Sequence, residues 1–129
     1  MKNVLFVLII LAAQSLSAQH ISTDTIGSKS NFENINNTKL FSDSLASSFV
    51  ILVKKEVKKH KHAFHSEHVV VLDGAALMTI AEKSFTIQKG DVIFIPQNTF
   101  HSVTTTSSVP LKVLSIQSPY FDGTDRVMK

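Results

Sequence analysis

His60-Lys61-His62-Ala63-Phe64-His65-Ser66-Glu67-His68-Val69-Val70-Val71-Leu72-Asp73-Gly74 is the stretch on which the reading of this chain turns. Residues 68–72 read as a strand, β-branched and aliphatic from Val69 onward, and the Asp-Gly that follows is turn chemistry. The first half spaces histidines two apart. In an extended chain such residues share a face, so His60 and His62 project side by side, with Cα atoms roughly 6.6 Å apart at about 3.3 Å per residue. Two imidazoles across that gap can lean onto one ion at roughly 2.0–2.1 Å. Glu67 lies across a short connection and offers a carboxylate. His101, on a distant strand, is placed to close the set from the opposite wall.

Outward from this stretch, short runs of the same texture recur. Residues 49–53, 77–80, 84–88, 92–95, 101–105 and 111–116 all read as strands. Asp73-Gly74 and Lys89-Gly90-Asp91 supply turns, and Pro96 suits a strand end. Helical periodicity is absent after the N-terminus, apart from one turn expected near residues 43–46. Many short strands at close spacing predict an all-β domain, a sandwich, jelly roll or small barrel.

The N-terminus has a different texture. Met1-Lys2-Asn3 is a short basic start, residues 4–13 are an unbroken apolar run, and residues 14–18 are small and polar. Ten apolar residues are too few to span a bilayer, but they match the centre of a secretory signal peptide. Cleavage after Ala18 is expected to leave 129 − 18 = 111 residues and to place the protein in the periplasm or outside the cell. Residues 19–47 are rich in Ser, Thr, Asn and Asp. They read as a loosely ordered lead-in with one short edge strand.

Composition removes several function classes. The chain has 129 residues, 43% of them hydrophobic, enough for one domain with a core. It contains no Cys, so a disulfide framework, a thiolate metal site and a cysteine nucleophile are all ruled out. The net charge of +3 falls to +2 without Lys2, no electrostatic case for nucleic acid or for a membrane surface.

The motif spacing carries more than the ligand chemistry. His60-x-His62-x4-Glu67-x6-Gly74, followed by Gly90-x5-Pro96-x4-His101, resembles the two motifs of the cupin superfamily across roughly residues 48–117. The resemblance implies a small jelly-roll barrel (a double-stranded β-helix) in which His60, His62, Glu67 and His101 hold one divalent metal ion. It also implies a variable hairpin between the motifs, a small-molecule ligand or substrate and, as often in single-domain cupins, a homodimer. Nitrogen and oxygen donors without sulfur suit Mn, Fe, Co, Ni, Cu or Zn, and an octahedral ion keeps two positions open. The chain departs from the family pattern at Lys54, Asn98 and Thr105. Asn98 stands where the family has glycine, and Asn is the residue that best tolerates the left-handed backbone required there.

Other residues are read as follows. His65 is an alternative to Glu67 as a ligand. His68 faces away from Glu67 and is structural or at the pocket rim. Met78 and Phe85 are core or pocket wall. The run from Lys54 to Lys61 needs a turn or bulge near residues 54–56, because strict alternation would bury lysines beside His60. It is either a basic rim for an anionic substrate or a solvated, aggregation-resistant edge. Residues 118–129 form a C-terminal tail. Three functions remain open: a metal-dependent oxygenase, isomerase or lyase with catalytic residues unassigned; a non-catalytic metal or ligand-binding module; and a purely structural barrel.

Overall fold

A computed structural model describes residues 19–27 and 30–129; residues 1–18, where a signal peptide is expected, lie outside the described residues. Apart from one 3-10 turn at Thr23–Thr25, the described chain is all β. Ten strands run in order: β1 (Ile35–Ser42), β2 (Ser47–Val53), β3 (Glu56–Lys61), β4 (Ser66–Asp73), β5 (Ala75–Ile80), β6 (Lys83–Gln88), β7 (Val92–Ile95), β8 (His101–Thr105), β9 (Leu111–Ser118) and β10 (Val127–Met128). They form two five-stranded antiparallel sheets, β1-β2-β9-β4-β7 and β10-β3-β8-β5-β6. The expected jelly roll is the observed fold.

Alternation along the strands builds the interior. On β4 the inward side chains are Glu67, Val69 and Val71; on β9 they are Leu111, Val113, Ser115 and Gln117. Val69, Val71, Leu111 and Val113 join Val53, Ala76, Met78, Ile87, Ile93 and Ile95 in one apolar cluster. Farther along the same two strands the inward positions turn polar. Strand geometry alone therefore delivers a core at one end of the barrel and a set of buried polar groups at the other.

The lysine run is resolved by two local devices. Residues 54–55 turn the chain between β2 and β3. A bulge then follows, since Val57 pairs with Val103 while His60 pairs with His101, which sets three steps on β3 against two on β8. The extra residue flips the parity, so Val57 and His60 both line the interior cavity while Lys58 stays exposed. Lys54 and Lys61 find partners outside, at Phe32 O (2.6 Å) and Asn98 Oδ1 (2.6 Å).

Gly74 and Asn98 are two of the positions with left-handed backbone. Gly74 has φ 77°, and a Cβ there would meet Pro110 O at 2.8 Å, so only glycine fits. Asn98 has φ 57°, as its tolerance for this region predicts.

Several expectations need correction. β1 is eight residues long, a full edge strand in register with β2. Residues 43–46 form a tight turn, in which Asp43 Oδ1 accepts from the backbone N–H of Leu45 and Ala46, and hold no helical turn. Phe85 is 40% exposed: it pairs with Met78 and shares the face of Ile87, but on the edge strand β6 it joins neither the apolar cluster nor the cavity wall. His68 is exposed and packs on Phe94, with ring centroids 4.9 Å apart, away from the cavity rim. Among the described residues no helix is long and apolar enough to cross a membrane.

Candidate metal centre

The chain brings His60 and His62 to the end of β3, and His101 opens β8 directly opposite His60. All three are buried, and their ligand nitrogens lie within 4.8 Å of one another. Glu67 reaches the cluster from the facing sheet. Its Oε2 is 3.6 Å from His62 Nε2 and 3.6 Å from His101 Nε2. The four residues singled out by spacing thus converge: three histidines form a compact group, and the glutamate sits against two of them.

The ring orientations are set from behind. His60 Nδ1 donates to Lys58 O (2.8 Å), His101 Nδ1 to Thr99 O (3.0 Å) and His62 Nδ1 to Asp125 O (2.5 Å). A carbonyl can only accept, so each Nδ1 carries the proton and each Nε2 keeps its lone pair. Three convergent, unprotonated Nε2 atoms beside a carboxylate are the arrangement of donors that a divalent cation requires. Glu67 Oε1 in turn accepts from Ser115 Oγ at 2.5 Å, which leaves Oε2 toward the histidines.

Electrostatics divide the trio. Burial, reinforced by neighbouring His101, pushes His60 down to about 4, and burial also lowers His101. Burial acts downward on His62 too, but the Glu67 carboxylate and the Asp125 carbonyl outweigh it, and the net direction is up. For Glu67 burial acts upward; the neighbouring His62 and the hydrogen bond from Ser115 overcome it, and the net direction is down. Two of the imidazoles are therefore held neutral, as ligation demands.

His65 does not join the set. Its Nδ1 meets Asp125 Oδ2 at 2.5 Å and its Nε2 donates to Tyr120 O at 2.9 Å, so both nitrogens are engaged. It anchors the tail instead. Asp125 also accepts from the backbone N–H of Ala63 and Phe64, each at 2.8 Å. Burial would raise its carboxyl, yet the His65 bond and these two N–H groups bring it down to about 2. Phe121 packs edge-on against His62 (5.1 Å) and His65 (5.0 Å), while its backbone exchanges hydrogen bonds with Ser47 Oγ. β10 then pairs Val127 with Lys61 and Met128 with His60, fastening the tail along the histidine strand.

A cavity of about 180 Å³ adjoins the four residues. Its exposed rim comes from Ile35 and Asn37 on β1 and from Gly123 and Arg126 in the tail, so it opens between the outer strands of the two sheets. Sequence reading missed Ser115, Gln117, Asp125 and Arg126. Ser115 and Gln117 carried one signal, polar residues at inward positions of an otherwise apolar strand. Asp125 and Arg126 carried none, because Asp125 meets its partners across sixty or more residues of chain and Arg126 reaches the cavity only through the folded tail.

Fold and site together define a cupin-type barrel, a double-stranded β-helix with a polar end. The chain belongs to the family described as mannose-6-phosphate isomerase C-terminal, whose model matches residues 18–129. Protein MJ1618 of Methanocaldococcus jannaschii is 36% identical over 76 residues, 59% of this chain and 61% of that protein. A mannose-1-phosphate guanylyltransferase of Salmonella muenchen is 34% identical over 68 residues, 53% of this chain but 14% of the enzyme. The chain thus spans under two thirds of these relatives. Among solved structures, a double-stranded β-helix protein from Klebsiella pneumoniae superposes with TM-score 0.72 at 16% identity, covering 88% of this chain and all of that one. KdgF from Halomonas sp. superposes with TM-score 0.66 at 18% identity, covering 72% and 86%. At these identities the likeness is one of fold.

Proposed function

We propose that His60, His62, Glu67 and His101 hold one divalent transition-metal ion, and that the protein uses it to bind or transform a small molecule in the adjoining cavity. The observation that carries this reading is the set of three Nε2 lone pairs, each fixed by an Nδ1 bond to a carbonyl, facing a buried carboxylate. Without a cation these groups leave lone pairs opposed in a desolvated space, which is costly. A bound divalent ion supplies Lewis acidity and open coordination positions. The protein's own groups orient the ligands, exclude water with Phe121 and present the cavity.

Mn, Fe, Co, Ni, Cu and Zn all suit this donor set. The family description and the guanylyltransferase relatives make sugar phosphates the first substrates to assay, while the short overlap with those enzymes keeps their whole-protein activities a proposal. Export through residues 1–18 and pairing into a homodimer complete the reading; N-terminal sequencing of the mature protein and sedimentation test them.

Elemental analysis of protein purified from its own compartment is the direct test. One equivalent of metal is expected, and His62→Ala is expected to lose it while the far-ultraviolet β signature remains. Metal-free wild type that also fails to take up any of these ions on titration would overturn the site. Turnover that requires the metal would mark an enzyme; tight ligand binding without turnover would mark the non-catalytic module.

A further inference from the structure

Beyond the four ligands, four polar side chains line the cavity, Asn37, Ser102, Gln117 and Arg126, and the last two bear most on what it could hold. Gln117 is 4% exposed, and its Oε1 is a buried acceptor that no donor satisfies among the described residues. It lies on β9 directly across from Glu67 on β4. Natural interiors rarely leave such an atom alone, so a donor is missing from this place. Arg126 stands at the mouth. No hydrogen bond or ion pair among the described residues engages its guanidinium, while its charge acts on Glu67, His60 and His101. It is the one cationic side chain of the described cavity wall, and Glu67, already held by Ser115, His62 and His101, is the one anionic side chain. The rest of the wall is chiefly aliphatic, including Ile51, Val57, Val69 and Met78.

These features specify a ligand. An arginine fork at an opening pairs with a carboxylate or phosphate. An orphan acceptor asks for an O–H or N–H. An aliphatic wall of this extent gives a polyhydroxylated sugar few partners and would desolvate its hydroxyls at a cost. We infer that the cavity takes a small aliphatic hydroxy acid, its carboxylate on Arg126, its hydroxyl donating to Gln117 Oε1 and its hydrocarbon body against the aliphatic wall. The inference rests on the reading of this cavity as the ligand site.

The test uses the mature chain, metal-loaded and metal-free, with 2-hydroxyisocaproate as the ligand in calorimetric titrations. Isocaproate lacks the donor, 2-hydroxyisocaproamide lacks the charge, and inorganic phosphate and mannose 6-phosphate supply the competing anion chemistry. The hydroxy acid is expected to bind at least tenfold tighter than the amide and about fivefold tighter than isocaproate. Arg126→Gln is expected to lose tenfold or more and Gln117→Leu about fivefold, whereas Arg126→Lys stays within a few-fold of wild type. Equal binding of acid and amide, an unaffected Arg126→Gln, or preference for either phosphate compound would overturn the inference. Elemental analysis of the same samples separates the two ideas: Arg126-dependent binding without metal would sink only the metal reading, and metal without Arg126 dependence only this one.

Discussion

The two ends of the barrel are made from the same strands and differ in almost everything else. On β4 and β9, Val69, Val71, Leu111 and Val113 point inward at one end, and Glu67, Ser115 and Gln117 point inward at the other. The apolar end is held by burial, which needs only complementary volume. The polar end carries buried hydrogen-bonding groups that oppose folding unless each is satisfied. Its satisfaction comes from the bulged stretch of β3 and from two segments outside the strands: Lys58, and then Thr99 and Asp125, supply the carbonyls behind the three histidines. One end is therefore a stability device. The other is a preorganised site whose precision depends on its supporting shell.

Substitutions that act on one end only will break this comparison most clearly. Leu111→Ala leaves a void in the apolar cluster and is expected to cost about 3 kcal/mol of stability. Thermal unfolding should show the Tm falling by roughly 10 °C, with metal stoichiometry unchanged; loss of the metal in the folded variant would mean that the two ends are not separable. Asp125→Ala removes the partner of His65 and of two backbone N–H groups that steer the chain past His62. Metal affinity, read by competition with a chelator, is expected to fall about 10- to 100-fold. Alanine keeps the residue 125 carbonyl behind His62 and Phe121 stays against the ring, so an unchanged affinity would show that these two contacts position His62 without the Asp125 carboxylate.

The smallest effect is a pH dependence confined to the polar end. His60, at about 4, and His101 are lowered on folding, so between that range and the ordinary histidine value near 6.5 the unfolded chain binds more protons. Their contribution to stability is complete above the ordinary value and is lost as pH falls toward 4. His62 is raised and runs the other way, its contribution being present in acid and lost as pH rises through its folded value. Two groups against one give a metal-free protein that loses stability from pH 7 to pH 5, measured as a lower urea midpoint. The increment caused by Leu111→Ala should be the same at both values. In the same metal-free protein His62, the histidine with the raised value, takes a proton before His60; imidazole proton shifts followed by NMR would contradict this if His60 titrated first.

Much of the site was readable because it depends on short-range rules. Residues two apart on a strand share a face, and this placed His60 beside His62. Alternation separated Glu67 from His68. Left-handed tolerance carried Asn98 through the turn before His101. Phe85 was misread because strand period put it correctly on the face of Ile87 without showing that β6 is an edge strand, where that face is left uncovered at Phe85. β1 was underread because an edge strand of Asn and Thr satisfies half its backbone by pairing with β2 and needs no apolar alternation.

By itself, then, the order of residues determined an all-β domain, its turns and the four side chains able to meet, since these follow from strand period, backbone preference and donor chemistry. Only the tertiary structure decided the bulge that turns His60 inward past two lysines, the tail that crosses to β3 to clasp His62 and His65, and the mouth framed by β1 and Arg126. Those depend on which segments become neighbours when two sheets close on each other. Pairing between residues sixty positions apart leaves no periodic trace in the chain.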